Sequence, residues 1–69
     1  MNNLKELRRS SKFSFRDMSN KLGISKTYYW QLENRQRRLY YEMAVKIADI
    51  FEKTPDSIFY EEFKDKPDN

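Results

Sequence analysis

The chain has no cysteine and no histidine among its 69 residues. The first absence removes disulfide staples and thiolate metal sites, the second removes imidazole ligands and histidine acid–base catalysis. Any metal would have to rest on carboxylates alone. There is one glycine, Gly23, and there are two prolines, so glycine-rich phosphate loops are excluded as well. No apolar run is long enough to cross a bilayer, and Met1 leads directly into Asn2-Asn3-Leu4-Lys5, so neither a signal peptide nor a membrane span is expected and the expected location is cytoplasmic. What remains is a single small domain, marginal in surface-to-volume terms, that must hold together by helix packing or by oligomerisation. Aromatic residues make up 16% of the chain and supply the large apolar units that a short core needs.

The charge is uneven. Residues 1–38 carry ten Lys/Arg against Glu6, Asp17 and Glu33, a net of +7, whereas residues 39–69 carry four lysines against eight acids, a net of −4. A solvated surface can be lopsided for no reason, but a basic half joined to an acidic half is also the footprint of a protein that brings one face to phosphates.

Five helical segments can be read. Leu4 and Leu7 share one face of the first, within residues 3–9. Ser14 with Asp17 three residues on opens the second as a capping box, followed by Phe15, Met18 and Leu22 at helical spacing, and Gly23 stops it. Ser25 caps the third, which runs to about Asn34, with Tyr29 and Leu32 facing the core beside Ile24 and Asn34 read as its left-handed stop. The fourth, residues 41–51, places Tyr41, Ala44, Ile47, Ala48 and Phe51 on one apolar stripe. Thr54-Pro55 opens the fifth, which buries Ile58 and Phe59 and carries Phe63 one turn on. Residues 1–63 form the expected domain and residues 64–69 a polar, flexible tail. No strand pattern is present, so the expected fold class is all-α.

Gly23 sits between two short helices, where a steep crossing needs a residue tolerant of positive φ. This is the arrangement of a helix-turn-helix, in which the first turn of the second helix meets base edges in the major groove. Here that turn offers Lys26, Thr27 and Tyr28, with Gln31 one turn on, sharing a face that Tyr29 and Leu32 do not occupy. Glutamine pairs bidentately with adenine, lysine donates to guanine, and the threonine methyl packs on thymine. An ordinary exposed helix face holds the same residue types, so it is the Gly23 turn, the charge split and the basic run Arg35-Gln36-Arg37-Arg38 that lift the DNA reading above the bland one. Those arginines would lie over the phosphate backbone, fixing position rather than sequence. Of the aromatic trio, Tyr29 is expected in the core, Tyr28 towards DNA and Trp30 on the helix flank.

With these pieces in place the chain resembles the Cro and phage-repressor type of helix-turn-helix regulators, the Xre family. The resemblance spans about residues 4–60. It rests on Leu4-Lys5-Glu6-Leu7-Arg8, Leu22-Gly23-Ile24-Ser25-Lys26, Leu32-Glu33-Asn34, Ala44-Val45-Lys46-Ile47-Ala48 and Asp56-Ser57-Ile58-Phe59 in that order. It implies a compact five-helix, lambda-repressor-like DNA-binding domain, sequence-specific binding to double-stranded DNA, and a homodimer on a palindromic operator. It also implies base contacts from the positions of Lys26, Thr27, Tyr28 and Gln31. Phosphate contacts are expected from Ser25, Asn34, Arg35, Gln36, Arg37 and Arg38. The chain departs from the family pattern at Phe15, where a backbone-fixing glutamine is common, at Arg35, a usual glycine position, and at Leu39-Tyr40, where Pro-Ser often starts the fourth helix.

The expected function is therefore a transcriptional regulator, a repressor in its simplest form, with no cofactor, no small-molecule ligand and no enzymatic activity. Tyr60 and Phe63 are expected at the dimer interface, because Ile58 and Phe59 suffice to close the monomer. The competing reading is a protein-interaction module, antitoxin-like or adaptor, that uses Trp30, Tyr40, Tyr60 and Phe63 to hold a protein partner.

Overall fold

The computed structural model describes residues 3–63, with side chains described for residues 3–60. Five helices follow one another: α1 (Asn3–Ser10), α2 (Phe15–Leu22), α3 (Lys26–Glu33), α4 (Tyr41–Ile50) and α5 (Pro55–Phe63). No strand occurs among the described residues, and the molecule is all-α as expected. Residues 64–69, expected as a tail, and the Phe63 side chain lie outside the described residues.

The helix starts follow the sequence chemistry. The Ser14 hydroxyl accepts the Asp17 N–H at 3.0 Å while the Asp17 carboxylate accepts the Ser14 N–H at 2.8 Å, completing the capping box. Those two bonds, backbone first, hold the Asp17 carboxyl below its ordinary value. Ser25 Oγ accepts the Tyr28 N–H at 3.0 Å, and Thr54 Oγ1 accepts the Ser57 N–H at 3.3 Å. Tyr40 precedes α4 with no side-chain cap at all.

The helix ends share one device. Gly23 is left-handed (φ 71°), its N–H reaches Asn20 O at 3.4 Å, and the Ile24 N–H closes on Ser19 O at 3.0 Å. This is the Schellman pairing of the last helical carbonyls. The same pair of bonds recurs after α1 around Lys12 (φ 62°), after α3 around Arg35 (φ 59°) and after α4 around Glu52 (φ 57°). Asn34, expected in the left-handed region, instead has φ −96° and ψ 13°. The helix reaches Glu33, so the reversal falls one residue later, where the Gln36 N–H can bond Gln31 O at 2.7 Å.

The core is formed by Leu4, Met18, Leu22, Tyr29, Ala44, Ile47, Ala48, Ile58 and Phe59, with Phe13, Phe15, Ile24 and Phe51 half-buried around it. α2 packs against α3 and α4, and α5 against α1 and α4. Tyr41 does not join the stripe: it is the first residue of α4 and is 59% exposed, while the half-buried Leu39 and Met43 on either side of it in sequence pack against the core. α5 is not one regular helix either, since Phe59 leaves helical geometry (φ −115°, ψ 21°) while its ring stays buried.

The largest departure from the sequence reading is polar. Glu33, counted in the sequence reading as one of three acids in the basic half, is 2% exposed and takes a two-pronged bond from Arg8, Nε to Oε1 at 2.8 Å and Nη2 to Oε2 at 3.0 Å. The third side of the guanidinium donates to Phe13 O at 2.9 Å, and its plane lies 4.2 Å from the Phe15 ring centroid. The bond to Glu33 raises the Arg8 pKa above its already high ordinary value, outweighing burial. One side chain thus ties α1, the turn before α2 and the end of α3 together.

Candidate nucleic-acid interface

α3 divides into two faces. Tyr29, Leu32 and Glu33 are buried, with the Tyr29 ring 6.1 Å from that of Phe15. Lys26 and Thr27 are exposed, and Tyr28 and Gln31 are half-buried. Thr27, Tyr28 and Gln31 lie at helical spacing on the side away from Tyr29, while Lys26 stands in the first turn next to Ser25, the helix cap. Phe15, Lys26, Thr27 and Trp30 line a shallow, mostly apolar recess of about 180 Å³ beside it. Trp30 is 44% exposed, on the flank as expected.

Beyond α3 the left-handed Arg35 turns the chain back over the helix. Asn34 Nδ2 donates to Trp30 O at 3.0 Å, folding that side chain onto its own helix, and Gln36 Nε2 reaches Asn34 O at 3.5 Å. Arg35, Gln36 and Arg38 are exposed, with the Arg38 guanidinium 5.2 Å from the Tyr40 ring centroid. Arg37 does something the sequence did not suggest. Its Nε donates to Gln31 Oε1 at 3.0 Å and its guanidinium carbon sits 4.9 Å from the Tyr28 ring centroid.

The electrostatics follow from which acid is where. Residues 25–40 contain Lys26, Arg35, Arg37 and Arg38 and one acid, Glu33, which is buried against Arg8. The exposed surface of α3 and its loop is consequently positive throughout, a helix and loop that attract a polyanion. A family model described as a helix-turn-helix domain matches residues 1–62. The chain belongs to that family. No match to it was found among curated proteins or among solved structures. Within the matched residues α2 and α3 meet at the Gly23 turn, and no helix among the described residues is long and apolar enough to cross a membrane.

Sequence reasoning missed Arg8 and Glu33, which hold the motif's second helix in place. A signal was present: Arg8 lies four residues after Leu4 and Glu33 four after Tyr29, so each charged residue falls on a buried face. The Tyr29 hydroxyl is buried in the same cluster beside the Glu33 carboxylate. Burial first, and then the Glu33 charge, push its pKa far up. Of the expected dimer residues, Tyr60 is 59% exposed.

Proposed function

We propose that the protein is a sequence-specific double-stranded DNA-binding regulator of the Xre type, acting as a repressor in a homodimer on a palindromic operator. The observation that carries this reading is the exposed face of α3, polar at Lys26, Thr27, Tyr28 and Gln31, bordered by a basic loop and free of exposed acids. α3 enters the major groove by its N-terminal end, where Lys26 and Thr27 meet base edges, with Tyr28 and Gln31 following along the groove. Ser25, Asn34, Arg35, Gln36 and Arg38 bind phosphates and fix the register. Two copies joined by the flank of α5 around Tyr60 and Phe63 would present their α3 helices to half-sites about one helical turn, 34–36 Å, apart. The protein has no cofactor in this reading, works in the cytoplasm and represses by occupying its site.

Selection of bound duplexes from a random library tests it, with affinity for random duplex DNA followed against salt. The expected result is a two-fold symmetric consensus and an affinity that falls steeply with salt, by about 0.9 log units per log unit of salt for each phosphate contact. No enrichment, together with no binding at low salt, would leave a protein adaptor as the better account. That second reading draws on Trp30, Tyr40 and Tyr60, which are 44%, 62% and 59% exposed; the Phe63 side chain, its fourth member, lies outside the described residues.

A further inference from the structure

We propose that Arg37 and Gln31 read DNA as one unit, and that this unit selects guanine rather than the adenine favoured by a lone glutamine. The inference rests on α3 being the helix that enters the groove.

Two separate bonds tie the loop to Gln31. The Gln36 N–H donates to the Gln31 backbone carbonyl at 2.7 Å, and Arg37 Nε donates to the Gln31 side-chain oxygen at 3.0 Å. The Tyr28 ring, on the same face of α3 and three residues before Gln31, lies under the guanidinium at 4.9 Å and keeps Arg37 against the helix rather than out over a phosphate. Arginine has no acceptor, so the amide atom that faces it must be the oxygen. The orientation of the Gln31 amide is thereby set: its NH₂ group is turned away from Arg37.

The consequence lies in the pattern offered to a base edge. Gln31 shows two N–H donors and Arg37 keeps the donors of its two terminal nitrogens, so the pair presents donors only. In the major groove guanine offers two acceptors, N7 and O6, whereas adenine offers the N7 acceptor beside the N6 amino donor. A lone glutamine satisfies adenine by donating to N7 and accepting from N6. Here the adenine amino group would have to share Oε1 with Arg37 and stand beside a guanidinium that can only donate. Guanine meets no such clash. Arg37, expected from the sequence to hold a phosphate, becomes a specificity residue, and the fork of the guanidinium matters as well as its charge.

The test is duplex selection with the wild type, Arg37→Lys, Arg37→Ala and Gln31→Ala, with the salt slope measured for each and circular dichroism confirming the fold of these surface variants. The wild type should place guanine at one position of each half-site. Arg37→Lys keeps the charge and the salt slope but loses the fork, and the guanine-to-adenine ratio at that position should fall by about tenfold. Gln31→Ala should alter the same position. Two results overturn the proposal while leaving the DNA reading intact: adenine at the position that Gln31→Ala alters, or an Arg37→Lys consensus unchanged from wild type with Arg37→Ala weakening all sequences alike. A wild type that enriches no sequence overturns the groove reading, and this inference with it, before any variant is compared.

Discussion

Removing either member of the Arg8–Glu33 pair should unfold much of this protein, while replacing both together should not. Both groups are buried, at 8% and 2% exposure, and they meet through two short bonds of 2.8 and 3.0 Å. Glu33→Ala leaves a buried guanidinium with the Phe13 carbonyl and the Phe15 ring face but no counter-charge, and Arg8→Ala takes both prongs of the bidentate bond from a buried carboxylate. Breaking a buried pair in this way costs about 3–5 kcal/mol. At about 0.05–0.15 kcal/mol per residue, a domain of this size has only about 3–10 kcal/mol in total. Arg8→Met with Glu33→Leu removes both charges and fills a similar volume, so the desolvation penalty disappears along with the attraction, and its stability should lie within about 1 kcal/mol of wild type or above it.

Urea unfolding followed by far-ultraviolet circular dichroism and by Trp30 emission measures this. With a slope of about 1–3 kcal/mol per molar, each single variant should lower the midpoint by at least about 1 M without changing the slope. The losses should persist in 0.5 M salt, tested at roughly that level because buried pairs are screened far less than surface ones. The double variant should also keep its affinity for DNA, since the pair holds α3 in position and lies on the face opposite Gln31. Single losses below about 1 kcal/mol, or a double loss equal to their sum, would refute the reasoning, because independent residues add and a broken pair does not.

Gly23→Ala should lose about 1–2 kcal/mol, because φ is 71° although a Cβ would meet nothing within 4 Å. The reverse change at the left-handed Glu52, Glu52→Gly, should raise the melting temperature, with a net gain of about 0.5–1 kcal/mol after the freedom that glycine adds to the unfolded chain; a lower melting temperature would refute it. Tyr29 is held neutral in the folded state well above its ordinary 10.0, so the unfolded chain ionises first and stability should fall as pH rises past that value. Tyr29→Phe should remove about 1 kcal/mol of the stability lost between about pH 10 and 11, read as urea midpoints, because the unfolded phenol is only half ionised at the start of that window. Asp17 has the opposite sign: its folded pKa lies below 3.8, so its contribution is present above the unfolded value and lost as pH falls through the folded one. Asp17→Asn should therefore show a smaller loss of midpoint between pH 6 and pH 3 than wild type, compared at those roughly chosen values.

The elements that sequence alone made legible are those whose chemistry is local. Ser14 with Asp17, Ser25, and Thr54 before Pro55 are helix starts written in adjacent residues, and the structure uses each of them. The apolar spacing of Met18 and Leu22, of Tyr29 and Leu32, and of Ala44, Ile47 and Ala48 found the core for the same reason. Helix ends were legible only once. Four helices close with the same reversal, but the left-handed position is glycine in one and Lys12, Arg35 and Glu52 in the others. A backbone that bonds its own last carbonyls needs no particular side chain there, so the residue types carry no mark of it.

Arg35 shows how such a silent position shapes the candidate site. Asparagine tolerates left-handed geometry better than arginine, and on local preference the chain should reverse at Asn34. In the structure Glu33 turns inward to meet Arg8, α3 stays helical through that residue, and the reversal falls at Arg35. With the reversal there, Gln36 rather than Arg35 closes on the Gln31 carbonyl, and the next residue, Arg37, arrives over Tyr28 with its Nε at the Gln31 amide. A reversal one residue earlier would bring Gln36 to that place, a side chain that both donates and accepts, and the donor-only surface would be lost. The buried Glu33 and the half-buried Gln31 share the last turn of α3, one on each side of it. The sequence shows the four residues expected to meet bases, and the arginine that joins them is placed by a turn whose left-handed residue, Arg35, carries no mark in the sequence.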